Sequence, residues 1–148
     1  MNKTILISIG LICAMIAAVG IMYFNDIYRK AEEPNICELV LRTQFEHNTS
    51  LPNKKDGAYC IDIDNKDPSD NFMARFKGHQ PPVKKGSEFI LEQDVKFSID
   101  NFRWLNNWTV EVDVDYFRQP KCGFGYTYRI IWKVDCWTIE KILLLWIS

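Results

Sequence analysis

The sequence predicts an α+β domain carried behind one hydrophobic membrane segment. Three observations carry this. Thr4 to Phe24 is an uncharged run of 21 residues. Apolar residues at helical spacing follow Pro34. Beyond Ala58 strand-like patterns dominate, with strict alternation after Trp108. A chain of 148 residues is the size of a single domain.

At 1.5 Å per residue the apolar run reaches roughly 30 Å, the thickness of a bilayer core. Asn25, Asp26, Arg29 and Lys30 end it. Residues 1–27 therefore read as a signal anchor or a signal peptide. Ala18-Val19-Gly20 would suit cleavage, but Ile21-Met22-Tyr23-Phe24 carry the run past it and favour an uncleaved anchor. Ile12 before Cys13 argues against a lipoprotein signal, which needs a small residue there. Lys3 and the amino terminus on one side balance Arg29 and Lys30 on the other, so the positive-inside rule does not orient the segment. The expected location is the inner membrane with the domain in the periplasm. Release into the periplasm after cleavage is the alternative. Residues 28–33 read as a charged linker and residues 34–148 as one globular domain.

Pro34 suits a first helical turn, Asn35 with Glu38 resembles a capping pair, and Ile36, Leu39, Val40, Thr43 and Phe45 recur at helical spacing. A helix over Pro34 to His47 follows. Residues 48–57 are polar, with Pro52 and Gly57, and predict a loop. Ala58 to Ile63 predicts a strand. Asp67-Pro68-Ser69-Asp70 starts a short helix carrying Phe72, Met73 and Phe76. Lys77 to Gly86 holds two prolines and two glycines and predicts irregular structure. Glu88 to Ile99 reads as a strand that continues through Trp104, with a phase change near Asp100. Asn106-Asn107 turns the chain into Val110, Val112, Val114 and Tyr116, which alternate with Thr109, Glu111, Asp113 and Asp115. A second hairpin places Tyr126, Tyr128, Ile130 and Trp132 on one face and turns at Val134-Asp135-Cys136. Trp137 to Ile147 is apolar on both faces, the pattern of a covered central strand. The expected packing is a curved antiparallel sheet wrapped on the N-terminal helix, in the manner of nuclear-transport-factor-like or cystatin-like folds. Such folds host enzymes, carriers and binding modules alike.

Cys13 lies inside the apolar run, which leaves Cys37, Cys60, Cys122 and Cys136 in the domain. No C-x-x-C pair is present and the chain has two histidines, so a structural metal site is not expected. Four cysteines behind an export signal read as a disulfide framework. Cys122 and Cys136 sit at opposite ends of one hairpin arm, too far apart to bond. The remaining pairings are 37–122 with 60–136, or 37–136 with 60–122.

The segment Asp67-Pro-Ser-Asp-Asn-Phe-Met-Ala-Arg-Phe-Lys-Gly-His-Gln-Pro-Pro-Val-Lys-Lys-Gly-Ser-Glu-Phe89 resembles a family of small exported bacterial proteins of unknown function. The similarity continues through Trp104, Glu111-Val112, Tyr126-Thr-Tyr-Arg129 and Leu145-Trp-Ile-Ser148. It implies export and an α+β layout, and no activity. The cysteines are not part of the family's pattern.

The sharpest surface candidate is the basic loop. Residues 71–86 contain no acid, while Arg75, Lys77, Lys84 and Lys85 accompany His79, and Pro81-Pro82 stiffen the chain. Such a loop can meet a carboxylate, a phosphate or an acidic protein surface; the bland reading is a solvated loop. Glu111, Asp113 and Asp115 share a strand face at about 7 Å spacing and suit a cation or, more commonly, a wet sheet face. Asp62, Asp64 and Asp67 fail the calcium-loop pattern, because Lys66 and Asp67 fall where a ligand and a glycine belong. His47 and His79 lack an implied catalytic partner. Gly123-Phe-Gly125 precedes a strand and lacks a third glycine, so it is no dinucleotide motif. Asn48-Thr-Ser50 and Asn107-Trp-Thr109 are formal glycosylation sequons. The net charge of −1 points away from nucleic acid. No catalytic site, metal or cofactor is expected. The expectation is a membrane-tethered, non-enzymatic module that binds a protein partner. An immunity protein against a periplasmic toxin, or a small-ligand carrier using Tyr126, Tyr128 and Trp132, are the alternatives.

Overall fold

The computed structural model describes residues 3–47, 57–119 and 122–147. The loop expected after His47, with its sequon at Asn48, falls almost wholly outside them. The elements are α1 (Lys3–His47), β1 (Tyr59–Ile63), α2 (Asp70–Met73), β2 (Val83–Lys85), β3 (Val95–Asn106), β4 (Thr109–Gln119), β5 (Cys122–Lys133) and β6 (Cys136–Ile147). The class is α+β. The chain divides into two compact units, residues 1–33 and 34–148.

In the first unit the apolar run is helical and belongs to a helix long and apolar enough to cross a membrane. Residues 28–33, the expected charged linker, are helical as well. The segment has no glycine, and Lys30 pairs with Asp26 one turn back at 3.1 Å, both of which favour helix. Pro34 accordingly lies inside α1 and does not start it.

In the second unit the helical face expected after Pro34 forms half of the core. Ile36, Cys37, Val40, Leu41 and Phe45 are buried in one cluster with Tyr59, Ile61, Phe97, Ile99, Val112 and Val114 of the sheet. Phe45 is central, stacking on Tyr59 at 4.6 Å and meeting Phe97 at 5.1 Å and Phe76 at 5.8 Å. A buried aromatic of this kind contributes about 2–3 kcal/mol. α2 begins where the sequence places it. Ser69 is its N-cap, accepting from the Phe72 amide at 3.3 Å. A 3₁₀ turn over Ala74–Phe76 extends it and buries Phe76 beside Phe72.

The six-stranded sheet has the order β2-β1-β3-β4-β5-β6. It is mixed, not antiparallel as expected: β1 runs parallel to both β2 and β3. The reason is the length of chain between β1 and β3. It returns over α2 and the basic loop to the same end of the sheet, where a hairpin would reverse it. The loop itself contributes β2, and the strand expected from Glu88 begins only at Val95, because Gly86–Glu88 form a 3₁₀ turn and residues 91–93 a further turn. The phase change near Asp100 is a bulge at Asn101, which adopts a left-handed φ of 53°. β4 buries Val110, Val112, Val114 and Tyr116 and turns its acids to the other face. Val134 and Asp135 make a two-residue turn with φ of 48° and 67°, and Cys136 opens β6.

β6 departs most from expectation. It is the terminal strand of the sheet, not a covered central one. Its apolar residues from Ile142 to Ile147 are 37–63% exposed.

The disulfide framework also needs correction. Cys60 and Cys136 are free thiols, so neither four-cysteine pairing forms. Four strand steps separate β1 from β6, about 19 Å at 4.8 Å each, against the roughly 7 Å limit between Cα atoms of a bridge. The side chain of Cys122 lies outside the described residues. Cys37 faces the core from α1, whereas Cys60 alternates with Tyr59 and Ile61 and points to the opposite sheet face.

Candidate functional site

The basic loop does not gather its cations. Arg75 turns back to α1, donating to Glu38 at 2.9 Å and Asn35 at 3.0 Å while lying over the Phe72 ring. Arg42 completes this knot by donating to Glu38 and to the Arg75 carbonyl at 2.8 Å. Burial opposes ionisation of Glu38, but the Arg42 and Arg75 guanidiniums outweigh it and hold its carboxyl below the ordinary range. Lys85 reaches Asp70 at 2.6 Å. His79 packs on Phe45 and Tyr59, and its Nδ1–H donates to the Pro81 carbonyl at 2.8 Å. The Gln80–Pro81 peptide is cis. Lys77 and Lys84 are the loop cations without an ion pair among the described residues.

The acids of β4 separate into two groups. Glu111 accepts from Arg129 at 2.7 Å, and Asp113 accepts from Arg103 and from Thr127 Oγ1 at 2.6 Å. The Arg129 hydrogen bond holds the Glu111 carboxyl below its ordinary range. Asp115 has no ion pair among the described residues, and burial pushes its carboxyl upward. The three acids near β1 also part company. Asp62 pairs with Lys96, Asp64 sits in a left-handed turn, and Asp67 accepts from the Ser87 amide and hydroxyl. No cluster of metal-ligating residues exists among the described residues. His47 Nδ1–H donates to the Thr43 carbonyl. Tyr128 is buried in the core, with Tyr126 and Trp132 packed against it.

Among the described residues of the second unit, the β6 edge is the longest run of exposed apolar surface. At the opposite edge, β2 has three residues, two of them Lys84 and Lys85, a short charged strand of the kind that resists pairing. β6 has twelve residues and, beyond Glu140-Lys141, neither charge, proline nor glycine up to Ile147. Its outer backbone groups are unpaired in the sheet and both of its faces are apolar.

Next to that edge, on the sheet face away from α1, Trp146 lies across β5. A β-carbon on Gly123 would meet its ring at 3.0 Å, and one on Gly125 would overlap the indole nitrogen. The two glycines therefore form a floor for the indole, which hydrogen-bonds Asp115. A hollow of about 380 Å³ opens beside it, lined by Phe89, Lys96, Ser98, Asp115, Tyr116, Phe117 and Trp146. Sequence reasoning missed this hollow. Its one signal was the pair of glycines two apart within a strand, the mark of close approach by another group.

The chain matches no protein-family model, no curated protein and no solved structure.

Proposed function

We propose that this chain is a membrane-tethered, extracytoplasmic module without chemistry of its own, and that a protein partner adds a strand along β6. One observation carries the reading: a twelve-residue edge strand with six consecutive exposed apolar residues, Ile142 to Ile147. Such an edge is a template for another strand. A partner strand would satisfy its free amides and carbonyls and set its own side chains beside the apolar residues on both faces. The apolar run would act as an uncleaved signal anchor, holding residues 34–148 in the periplasm as the resemblance to exported proteins implies. The helix-on-sheet arrangement is of the nuclear-transport-factor-like or cystatin-like kind in this reading. The basic loop is left as a secondary surface through Lys77 and Lys84.

Site-specific photocrosslinking in native cells tests this. A crosslinking amino acid replaces Leu143 or Leu145 on β6, and Lys77 or Lys84 on the loop, in the full chain. The expected result is one protein adduct of defined mass from the β6 positions, lost when Leu144→Lys places a charge on that edge. Adducts from the loop positions alone would move the interface to the basic loop. No protein adduct from either would sink the binding-module reading.

A further inference from the structure

The hollow beside Trp146 has a composition that selects a ligand. Its walls are Phe89, Phe117 and Trp146, with Phe89 and Phe117 edge to face at 6.2 Å. Its floor is polar, with Ser98 opposite Asp115 in the β3–β4 register and Gly125 opposite Asp115 in the β4–β5 register. The one cation that lines it, Lys96, is already engaged with Asp62 at 2.5 Å. Asp115 is thus a partly buried carboxylate with no ion pair among the described residues, set among three aromatic rings. Burial holds its carboxyl above the usual range, although the Trp146 indole donates a hydrogen bond to it.

We propose that this hollow binds a small organic cation, a primary or methylated ammonium bearing an apolar group. The ammonium sits on Asp115 and the apolar group between Phe89, Phe117 and Trp146. A carboxylate supplies the charge, and ring faces attract the same cation through their quadrupoles. The volume suits a ligand of about ten heavy atoms. Anions are disfavoured, because Asp115 faces them and Lys96 is neutralised. Trp146 belongs both to this hollow and to β6, but the titration below needs no partner protein, so its failure leaves the β6 interface untouched.

The test uses the full chain in maltoside micelles, labelled with ¹⁵N at tryptophan. The Trp146 indole resonance, assigned through Trp146→Phe, is followed during titration with benzylamine, benzyltrimethylammonium, benzyl alcohol and benzoate. The expected result is a saturable shift with both ammonium ions, at least about ten-fold weaker binding of benzyl alcohol, and a similar loss in Asp115→Asn. Equal binding of benzyl alcohol or benzoate would overturn the proposal. So would the absence of a saturable shift with either ammonium up to about 10 mM. The ligand comparison on the unsubstituted chain decides the matter independently of the Asp115→Asn variant.

Discussion

The indole of Trp146 occupies the space in which Gly125 would carry a β-carbon. A strand glycine normally weakens a sheet, yet here its missing side chain lets a β6 residue cross β5 and reach Asp115 on β4. Gly125→Ala is expected to displace the indole and destabilise the domain by about 1–3 kcal/mol, as overpacking does. Gly123→Ala, whose β-carbon would only graze the ring at 3.0 Å, should cost less. Thermal unfolding followed by circular dichroism checks both; an unchanged midpoint for Gly125→Ala would mean that Trp146 does not rest there.

Asp115 should oppose stability at neutral pH. Burial raises its carboxyl in the folded chain, so the fold holds the proton more tightly than the unfolded chain does. The linked stability is present below the unfolded carboxylate value and is lost as pH rises through the folded one. Asp115→Asn is thus expected to raise the unfolding midpoint at pH 7 and to leave it nearly unchanged near pH 3.5. Denaturant titrations at the two pH values measure the difference. A variant less stable at pH 7 would overturn the sign.

Asp94 ties the start of β1 to the turn before β3. It is buried, with 1% of its surface exposed, and accepts from the Ala58 and Ile90 amides, each at 2.9 Å. The Cys60 thiol donates to it as well, at 3.7 Å. Removing the carboxylate strands the buried Ala58 amide. Asp94→Ala should therefore cost about 3 kcal/mol. Asp94→Asn keeps one acceptor and should cost less. Equal losses in the two variants, measured by guanidinium unfolding, would show that the one acceptor oxygen kept by Asp94→Asn contributes nothing.

Val134 is held in the left-handed region at φ 48° while its side chain is 86% exposed. A β-branched residue is strained there, and this one gains no packing in return. Val134→Gly should stabilise the domain by about 1 kcal/mol. A lower unfolding midpoint for this variant would mean that the Val134 side chain makes a stabilising contact.

The thiols should differ sharply in reactivity. Burial first, and then the Asp94 carboxylate, push the Cys60 thiol up to about 12, whereas Cys136 is exposed at the β5–β6 turn. In a Cys13→Ser, Cys122→Ser chain, a maleimide is expected to add once to the folded protein, at Cys136, and three times after denaturation. Mass spectrometry counts the adducts. A denatured, unreduced chain that takes up fewer than three would restore a disulfide.

Much of the fold was legible in local pattern. The uncharged run, the helical face after Pro34, the short helix started by Asp67-Pro68-Ser69-Asp70, the phase change near Asp100 and the alternation of Val110, Val112, Val114 and Tyr116 each depend on residues a few positions apart. Periodicity records which face of an element is apolar. It does not record which strand lies beside it. The apolar pattern of Trp137 to Ile147 therefore looked like a central strand, and only pairing across the sheet made β6 its edge. The same holds for the candidate sites. Arg75, Lys85 and His79 read as one cationic loop, but residues distant in sequence, Glu38, Asp70 and Phe45, draw them apart. The sequence by itself determined the membrane-length helix, the α+β class and the faces of its strands, because those follow from local spacing. The tertiary structure alone decided the strand order, the exposed edge and the meeting of Trp146, Gly125 and Asp115, because those depend on contacts between segments that the chain must first bring together.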